Sequence, residues 1–148
     1  MNLARQEHDR RLAVVINGNA RGVNRDVLSL LANALPQGGF FLSHKVEDSE
    51  PIVRRILDGA YDTVLTAGGD GTFMNIVSHV YRSAAQTFPE GMRLGVLRLG
   101  TGNAIADTLG SSGGTNGMLG DIVRARTDAG VRPMRLVRVE GQLTPFAG

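Results

Sequence analysis

Asp62-Thr63-Val64-Leu65-Thr66-Ala67-Gly68-Gly69-Asp70-Gly71-Thr72 joins a short apolar run to a glycine-rich turn. The run Asp62 to Thr66 is continuous and rich in β-branched residues, which is typical of a strand buried on both faces of a parallel sheet. Apolar residues recur at helical spacing after the turn, so a helix is predicted from Thr72. We therefore expect a strand, a glycine turn and a helix in direct succession.

The same alternation extends over the rest of the chain. Further strands are expected at residues 12–16, 40–43, 94–97 and 134–140. Helices are expected at 25–35, from an N-cap at Ser49 to Gly59, and at 104–109. A Ser/Gly-rich connection is expected at 111–117, and a further helix from about 118 to 126. Alternating strands and helices predict an α/β fold, a Rossmann-like three-layer sandwich with a mostly parallel sheet.

Composition limits the classes of protein that the chain can belong to. Its 148 residues suit one domain, and the absence of cysteine excludes disulfide and thiolate metal sites and suits the cytoplasm. The pI of 9.7 reflects arginine rather than a basic patch, because Lys45 is the only lysine and the arginines are scattered among 14 acids. We therefore expect no nucleic-acid partner.

The start of the chain and its hydropathy point away from membrane insertion. Residues 1–11 are polar and charged, without the apolar segment of a signal peptide, and are expected to form a flexible terminus. No apolar run approaches the ~20 residues of a membrane-spanning helix. The organised part of the chain is therefore expected to begin at Leu12.

The turn Gly68 to Thr72 has the chemistry of a phosphate site. Glycines allow close approach of the backbone, and free N–H groups at a helix start attract an anion. Thr72 can cap the helix and donate to a phosphate oxygen. Asp70 would repel a bare phosphate, so it fits there through Mg²⁺ or a sugar hydroxyl. The alternative is a tight turn in which Asp70 only caps.

Two further loops follow predicted strands. Gly100-Thr101-Gly102-Asn103 repeats the design after the fourth strand, and Asn17-Gly18 with Asn19 follows the first. Parallel sheets bind ligands beyond the carboxyl ends of their strands, so the loops are expected to lie at one edge. Each loop taken singly also fits a capping turn or a polar turn. The G-x-G-x-x-G and P-loop motifs are absent, and the histidines lack metal-ligand spacing.

The chain resembles the catalytic domain of the diacylglycerol kinase and sphingosine kinase superfamily. The resemblance rests on a strand followed by GGDGT and on a second strand followed by Leu99-Gly100-Thr101-Gly102-Asn103-Ala104-Ile105-Ala106. GGDGT alone is shared with NAD kinases, which are similar in fold, and the second motif favours the lipid kinases. The resemblance implies that ATP lies in the cleft, with Gly68 to Thr72 and Thr101 near its phosphates and Asn17 in the pocket. It also implies that Asp70 is catalytic and acts with Mg²⁺.

The implied acceptor is a lipid hydroxyl, such as that of diacylglycerol, reached by transient contact with a membrane surface. In the superfamily a β-rich second domain supplies the catalytic base, and residues 134–148 are expected to be its start, after a nucleotide-binding domain at 12–133. The chain is therefore expected to be inactive alone. Apolar surface meant for the second domain would also favour a homodimer.

Several positions depart from the superfamily pattern. Gly18 and Arg98 replace prolines, Met74-Asn75 replaces an Asn-Glu pair, Ala104 replaces an aspartate, and a threonine near the end of the second strand has no counterpart in Ser43-His44-Lys45. These changes concern the acceptor and the rate more than the phosphate site. Two other functions therefore remain open, an NAD kinase-like enzyme acting on a soluble substrate and a non-catalytic nucleotide-binding or interaction module.

Overall fold

The computed structural model describes residues 10–35, 39–99, 104–127, 130–140 and 142–144. The strands are β1 (Leu12–Asn17), β2 (Phe40–Ser43), β3 (Thr63–Gly68), β4 (Arg93–Arg98), β5 (Val137–Val139) and β6 (Gln142–Thr144). The α-helices are α1 (Arg25–Ala34), α2 (Ser49–Asp58), α3 (Asp70–Ser83), α4 (Ala104–Leu109) and α5 (Gly114–Ala125), and a 3-10 turn at Val46–Asp48 precedes α2.

The first four strands form one parallel sheet in the order β2-β1-β3-β4. Val15 of β1 is paired with Phe41 on one side and with Thr66 on the other, and Thr66 is paired with Val96 of β4. The chain thus moves outward from β1 first to β2 and then, in the opposite direction, to β3. Such a reversal of strand order opens a crevice at the carboxyl ends of the strands.

Helices cover both faces of this sheet, which confirms the predicted three-layer α/β sandwich. On one face, Val14 and Ile16 of β1 pack with Leu31 of α1 and Ile122 of α5. On the other face, alternate residues of β1 pack with α2 and α3. Each large apolar side chain buried in this way contributes roughly 1.5–3 kcal/mol. The continuous apolar run of β1 is required because both of its faces are in the core.

The structure begins α2 at Ser49 instead of placing Ser49 at the N-cap. The Ser49 hydroxyl is buried and accepts a hydrogen bond from Asn75 Nδ2 of α3 at 2.5 Å, so it is used between helices. The preceding Asp48 accepts the backbone N–H groups of His44 and Lys45. The predicted N-cap was therefore wrong by one residue because a tertiary contact takes the serine side chain.

Two other element boundaries differ from expectation. Helix α3 begins at Asp70, two residues before Thr72, and α5 begins at Gly114 although its first residues are rich in glycine. The close approach of Gly117 to Ser112 explains the second difference, since a Cβ on Gly117 would lie 2.7 Å from the Ser112 Cβ. Glycine here allows α5 to pack on the preceding segment.

The strand predicted at 134–140 is shorter than expected. Only Val137–Val139 is a strand, and it pairs antiparallel with Gln142–Thr144. This hairpin rests on α3, where Leu143 is buried and its N–H donates to Ser78 Oγ at 2.9 Å. The assignment of residues 134–148 to a second domain stays a prediction, as does the flexible terminus, which lies largely outside the described residues.

The turn between β3 and α3 leads to a prediction for Gly68. A Cβ at Gly68 would lie 2.6 Å from Thr72 Oγ1, 3.0 Å from Thr72 Cβ and 3.2 Å from Asn17 Cβ. Gly68→Ala should therefore lower the free energy of unfolding by about 1–3 kcal/mol, the usual cost of overpacking. Denaturant unfolding measures this change.

Gly71 supplies the matched control because a Cβ there would meet no atom within 4 Å. Since Gly71 lies inside a helix, Gly71→Ala should leave stability unchanged or raise it by up to about 1 kcal/mol. Equal losses of stability in the two variants would contradict the prediction that the Gly68 variant is destabilised by steric overlap with Thr72 and Asn17.

A second prediction concerns His79, which is half-buried on α3. Burial lowers its pKa below the usual 6.5, the charge of Arg82 lowers it further, and Glu50 opposes the shift. The unfolded chain then binds the proton more readily, so the stability contributed by neutral His79 is complete above 6.5 and is lost as the pH falls below it. Urea unfolding at about pH 7.5 and about pH 5.5 should show a smaller loss in His79→Gln than in the wild type. An equal loss in both proteins would contradict the assignment.

Candidate functional site

A cleft of about 710 Å³ opens at the carboxyl ends of β2, β1 and β3. Cavities that bind small molecules commonly have volumes of about 300–1,000 Å³. Its walls come from the ends of these strands, from the 3-10 turn before α2 and from the first turns of α3. The cleft therefore lies at the reversal of strand order, where ligands bind in open α/β sheets.

The first turn of α3 forms one wall of this cleft. Gly69, Gly71 and Thr72 line it, and the Thr72 N–H donates to the Gly69 carbonyl at 3.1 Å. The amino end of a helix carries partial positive charge, so this wall favours an anion. Gly68 contributes by its missing side chain, because it leaves the space that the Thr72 side chain fills.

Asn17 joins the end of β1 to α3. Its Nδ2 donates to Thr72 Oγ1 at 3.3 Å, and its Oδ1 accepts the backbone N–H of Asn19 at 3.0 Å. Asn17 lines the cleft, so the structure brings it to the glycine turn that the sequence placed with it. Its amide is partly used in holding the loop after β1 and the hydroxyl of Thr72 in position.

Gly18 lies directly beneath the imidazole of His44. A Cβ on residue 18 would come within 2.8 Å of His44 Nδ1 and Cε1. The proline expected at this position would therefore collide with His44 where the ring now lies. The two departures from the superfamily pattern, at Gly18 and at His44, are therefore structurally coupled, because the absence of a side chain at Gly18 leaves space for the His44 ring.

Basic side chains form another wall of the cleft. Arg21 and Lys45 line it together with His44, and no aspartate or glutamate lines the cleft among the described residues. Asp48 holds this wall from behind, since its Oδ2 accepts the N–H groups of His44 and Lys45 at 2.9 and 3.1 Å. These hydrogen bonds lower the Asp48 pKa below its usual 3.8. Arg21 and Lys45 escaped prediction because single cations in loops carry no motif.

Met74 and Asn75 lie deeper along α3 and also line the cleft. The Asn75 amide donates to the Ser49 hydroxyl and so connects α3 to α2 across the base of the cleft. At this level the cleft has neutral polar and thioether groups, where the superfamily pattern has an acidic residue. The change of residue therefore removes a negative charge from the lining of the cleft.

Asp70 does not line the cleft. Its Oδ2 accepts the Ala104 N–H at 3.1 Å and its Oδ1 accepts the Ile105 N–H at 3.0 Å, so it caps α4 rather than facing the ligand. Among the residues that the structure describes, no three His, Asp or Glu side chains are grouped to hold a metal. The catalytic role and the Mg²⁺ role of Asp70 stay predictions.

The second glycine loop, Gly100 to Asn103, lies outside the described residues. Its flanks are close to the other loops, since the Gly22 N–H donates to the Leu99 carbonyl at 2.9 Å and Asp70 binds the start of α4.

In the described ranges, no helix is long and apolar enough to span a membrane.

Comparison with known proteins identifies the family. The model of the diacylglycerol kinase catalytic domain matches residues 11–139. Two solved structures of a "putative diacylglycerol kinase" from Bacillus anthracis str. Sterne superpose with a TM-score of 0.53, at 21% and 20% identity over 70% of this chain. The chain spans 35% and 38% of their lengths. No curated protein matches the sequence. With its parallel sheet, cleft and GGDGT turn, the chain belongs to the diacylglycerol kinase catalytic domain family.

Proposed function

We propose that this chain is the ATP-binding part of a lipid kinase that transfers the γ-phosphoryl group of ATP to a lipid hydroxyl. One observation carries the proposal: a single cleft is lined both by the amino end of α3 and by a basic wall that contains Arg21 and Lys45. A helix start and two cations around one cavity suit a polyphosphate. Membership of the family supports kinase chemistry over other uses of such a site.

In the proposed complex, the phosphates lie against Gly68 to Thr72 and the loop Gly100 to Asn103. Asn17 and Gly18 then contact the ribose or base from the end of β1. Phosphoryl transfer depends mainly on positioning and on neutralising charge, and these residues supply both without covalent chemistry. The Thr72 hydroxyl, which already accepts a hydrogen bond from Asn17, would donate to a phosphate oxygen.

Mg²⁺ would neutralise phosphate charge at this site, as it does in phosphoryl transfer generally. Both carboxylate oxygens of Asp70 already accept a backbone N–H. Each keeps a further lone pair, so Asp70 fits an indirect role through metal-bound water and does not fit direct coordination as well. Phosphate oxygens and water would then hold the ion.

The proposed acceptor is diacylglycerol or a related lipid alcohol, met at a membrane surface by a cytoplasmic protein. No residue of the described cleft walls is a carboxylate placed to accept the proton of an attacking hydroxyl. We therefore expect nucleotide binding without turnover from this chain alone. Exposed apolar side chains such as Val123, Val131 and Val139 are consistent with a homodimer or with a covering second domain.

A non-catalytic nucleotide-binding module is the second candidate. It is favoured by two observations, the engagement of Asp70 with α4 and the neutral Met74-Asn75 pair in the cleft. Both candidates require nucleotide binding. They differ in whether the longer protein phosphorylates a lipid, so a lipid-phosphorylation assay on that protein separates them. An NAD kinase-like activity is disfavoured by the family match.

Nucleotide binding should appear as thermal stabilisation by Mg·ADP or Mg·ATP. Ligand at about 100 times its Kd stabilises the folded state by about 2.7 kcal/mol. Thr72→Val removes the hydroxyl but keeps the shape of the side chain, and should weaken binding about tenfold or less, as expected for one hydrogen bond to a charged group. Thr63→Val is the control because Thr63 lies at the amino end of β3, the strand that leads into α3, and does not line the cleft. Absence of any shift with both nucleotides would rule out all of the kinase proposals.

Lys45 permits a direct test of where the phosphates lie, since it is the only lysine in the chain. An acyl-phosphate derivative of ATP should acylate Lys45 preferentially over the terminal amine, and excess ADP should protect it. Lys45→Arg should abolish the side-chain label and retain nucleotide binding. Labelling that ADP does not reduce would place the nucleotide outside the cleft. Mass spectrometry of the digested protein measures the outcome.

A further inference from the structure

Helix α4 lies behind the first turn of α3, on the side away from the cleft, and is bound there by Asp70. The two carboxylate oxygens accept the N–H groups of Ala104 and Ile105 at 3.1 and 3.0 Å. Hydrogen bonds from backbone amides to a carboxylate are charge-assisted and stronger than those between neutral groups. Asp70 thus holds its own helix, α3, against the start of a helix that lies 34 residues further along the chain.

The other end of α4 is fixed to the sheet. Arg98, the last residue of β4, forms an ion pair with Asp107 of α4 and reaches the Ser111 carbonyl at 3.5 Å. The Ser111 hydroxyl donates to the Val96 carbonyl of β4 at 2.6 Å, and its N–H donates to the Ala106 carbonyl at 2.9 Å. The carboxyl end of α4 therefore moves with β4.

Packing makes the connection rigid between these two ends. Ile105 and Ala106 are fully buried and pack with Phe73 and Val77 of α3. Neither Asp70 nor Arg98 lines the cleft, but Gly71 and Thr72 of the same first turn of α3 do. A continuous path of contacts thus runs from β4 through α4 to the turn that faces the cleft.

We propose that Asp70 and Arg98 are positioning residues, which hold α4 as a brace behind the first turn of α3 and so raise nucleotide affinity without touching the ligand. This inference rests on the proposed function. A turn that is held in place before binding loses less conformational freedom when phosphate arrives, and that saving appears as affinity. Arg98 stands where the superfamily pattern has proline. Its ion pair with Asp107 then restricts the end of β4 through a side-chain contact, where proline would restrict it through the backbone.

A direct role for either residue makes different predictions. If Asp70 served only Mg²⁺, its loss would weaken binding only when Mg²⁺ is present. If Arg98 contacted phosphate directly, its loss would add independently to the loss of Asp70. The brace predicts weakening with or without Mg²⁺, and losses that are less than additive, because the second substitution acts on a helix that is already released.

The first arm of the test measures α4 without nucleotide. Amide hydrogen exchange at Ala104 and Ile105, followed by NMR, should accelerate about fivefold in Asp70→Ala, in the range expected for loss of a helix cap. Asp70→Asn keeps one acceptor oxygen and should have a smaller effect. Asn24→Ala is the matched control, since Asn24 also caps a helix, α1, by accepting the Val27 N–H, and does not line the cleft.

The second arm measures ADP affinity by calorimetry with Mg²⁺ and with EDTA. Asp70→Ala should weaken binding about fivefold with EDTA and by a larger factor with Mg²⁺, where its indirect metal role is lost as well. In both conditions Arg98→Ala should weaken binding by a smaller factor, and the double variant by less than the product of the two. The proposal is supported only if exchange and Mg²⁺-free affinity change together in this way.

Any other combination overturns it. Faster exchange with unchanged affinity would mean that α4 is not coupled to the cleft. Weaker binding with unchanged exchange, or weakening confined to Mg²⁺, would mean that Asp70 acts on the ligand or its metal. Multiplicative losses would remove Arg98 from the brace. Failure of the unaltered chain to bind ADP would instead reject the proposed function, and the affinity claim with it.

Discussion

The close approach of three residues at the end of β3 is the constraint on which the site depends. Gly68 has no side chain, and the space beside it is taken by Thr72 and Asn17. This lets α3 start immediately after β3 and lets Asn17 hydrogen-bond to Thr72 across the sheet. Because β1 is flanked by β2 and β3, the same contact also fixes the position of the cleft. Any residue larger than glycine at 68 would separate α3 from β1.

The distribution of charge around the cleft also favours phosphate binding. The amino end of α3 and a basic wall that contains Arg21 and Lys45 line the same cleft, and Asp48 holds the backbone of that wall. The negative charge of Asp70 is directed away from the cleft, into the amides of α4. A chain whose overall charge is only +2 therefore presents a locally basic cavity. This separation of charges, rather than net charge, makes the cleft suitable for phosphate.

Much of the fold could be predicted from the sequence because its strands are short, apolar and separated by glycine turns. The parallel sheet and α1 were correctly placed, whereas α3 begins at Asp70, two residues before its predicted start. The N-cap of α2 and the start of α5 were not correctly placed either, because Ser49 bonds to Asn75 and Gly117 packs on Ser112. The first contact joins residues that are far apart in the sequence, and the second places a glycine in a helix despite its low helix propensity. Neither can be predicted from the local sequence pattern.

The candidate site was predictable to a lesser degree. Gly69, Gly71, Thr72 and Asn17 could be grouped because each follows a parallel strand. The direction of the Asp70 side chain could not be predicted, since its partners, Ala104 and Ile105, are backbone amides that carry no sequence signal. The pairing of Gly18 with His44 is similarly visible only in three dimensions.

Titration of the isotopically labelled chain with Mn²⁺·ADP, followed by NMR, would show where the phosphates bind. The paramagnetic ion broadens resonances close to the phosphates. The account predicts that the amide signals of Gly69, Gly71 and Thr72 broaden first, followed by those of the wall around Lys45. Broadening centred on the opposite side of the sheet edge, around Leu94 and Leu109, or no selective broadening at all, would contradict it.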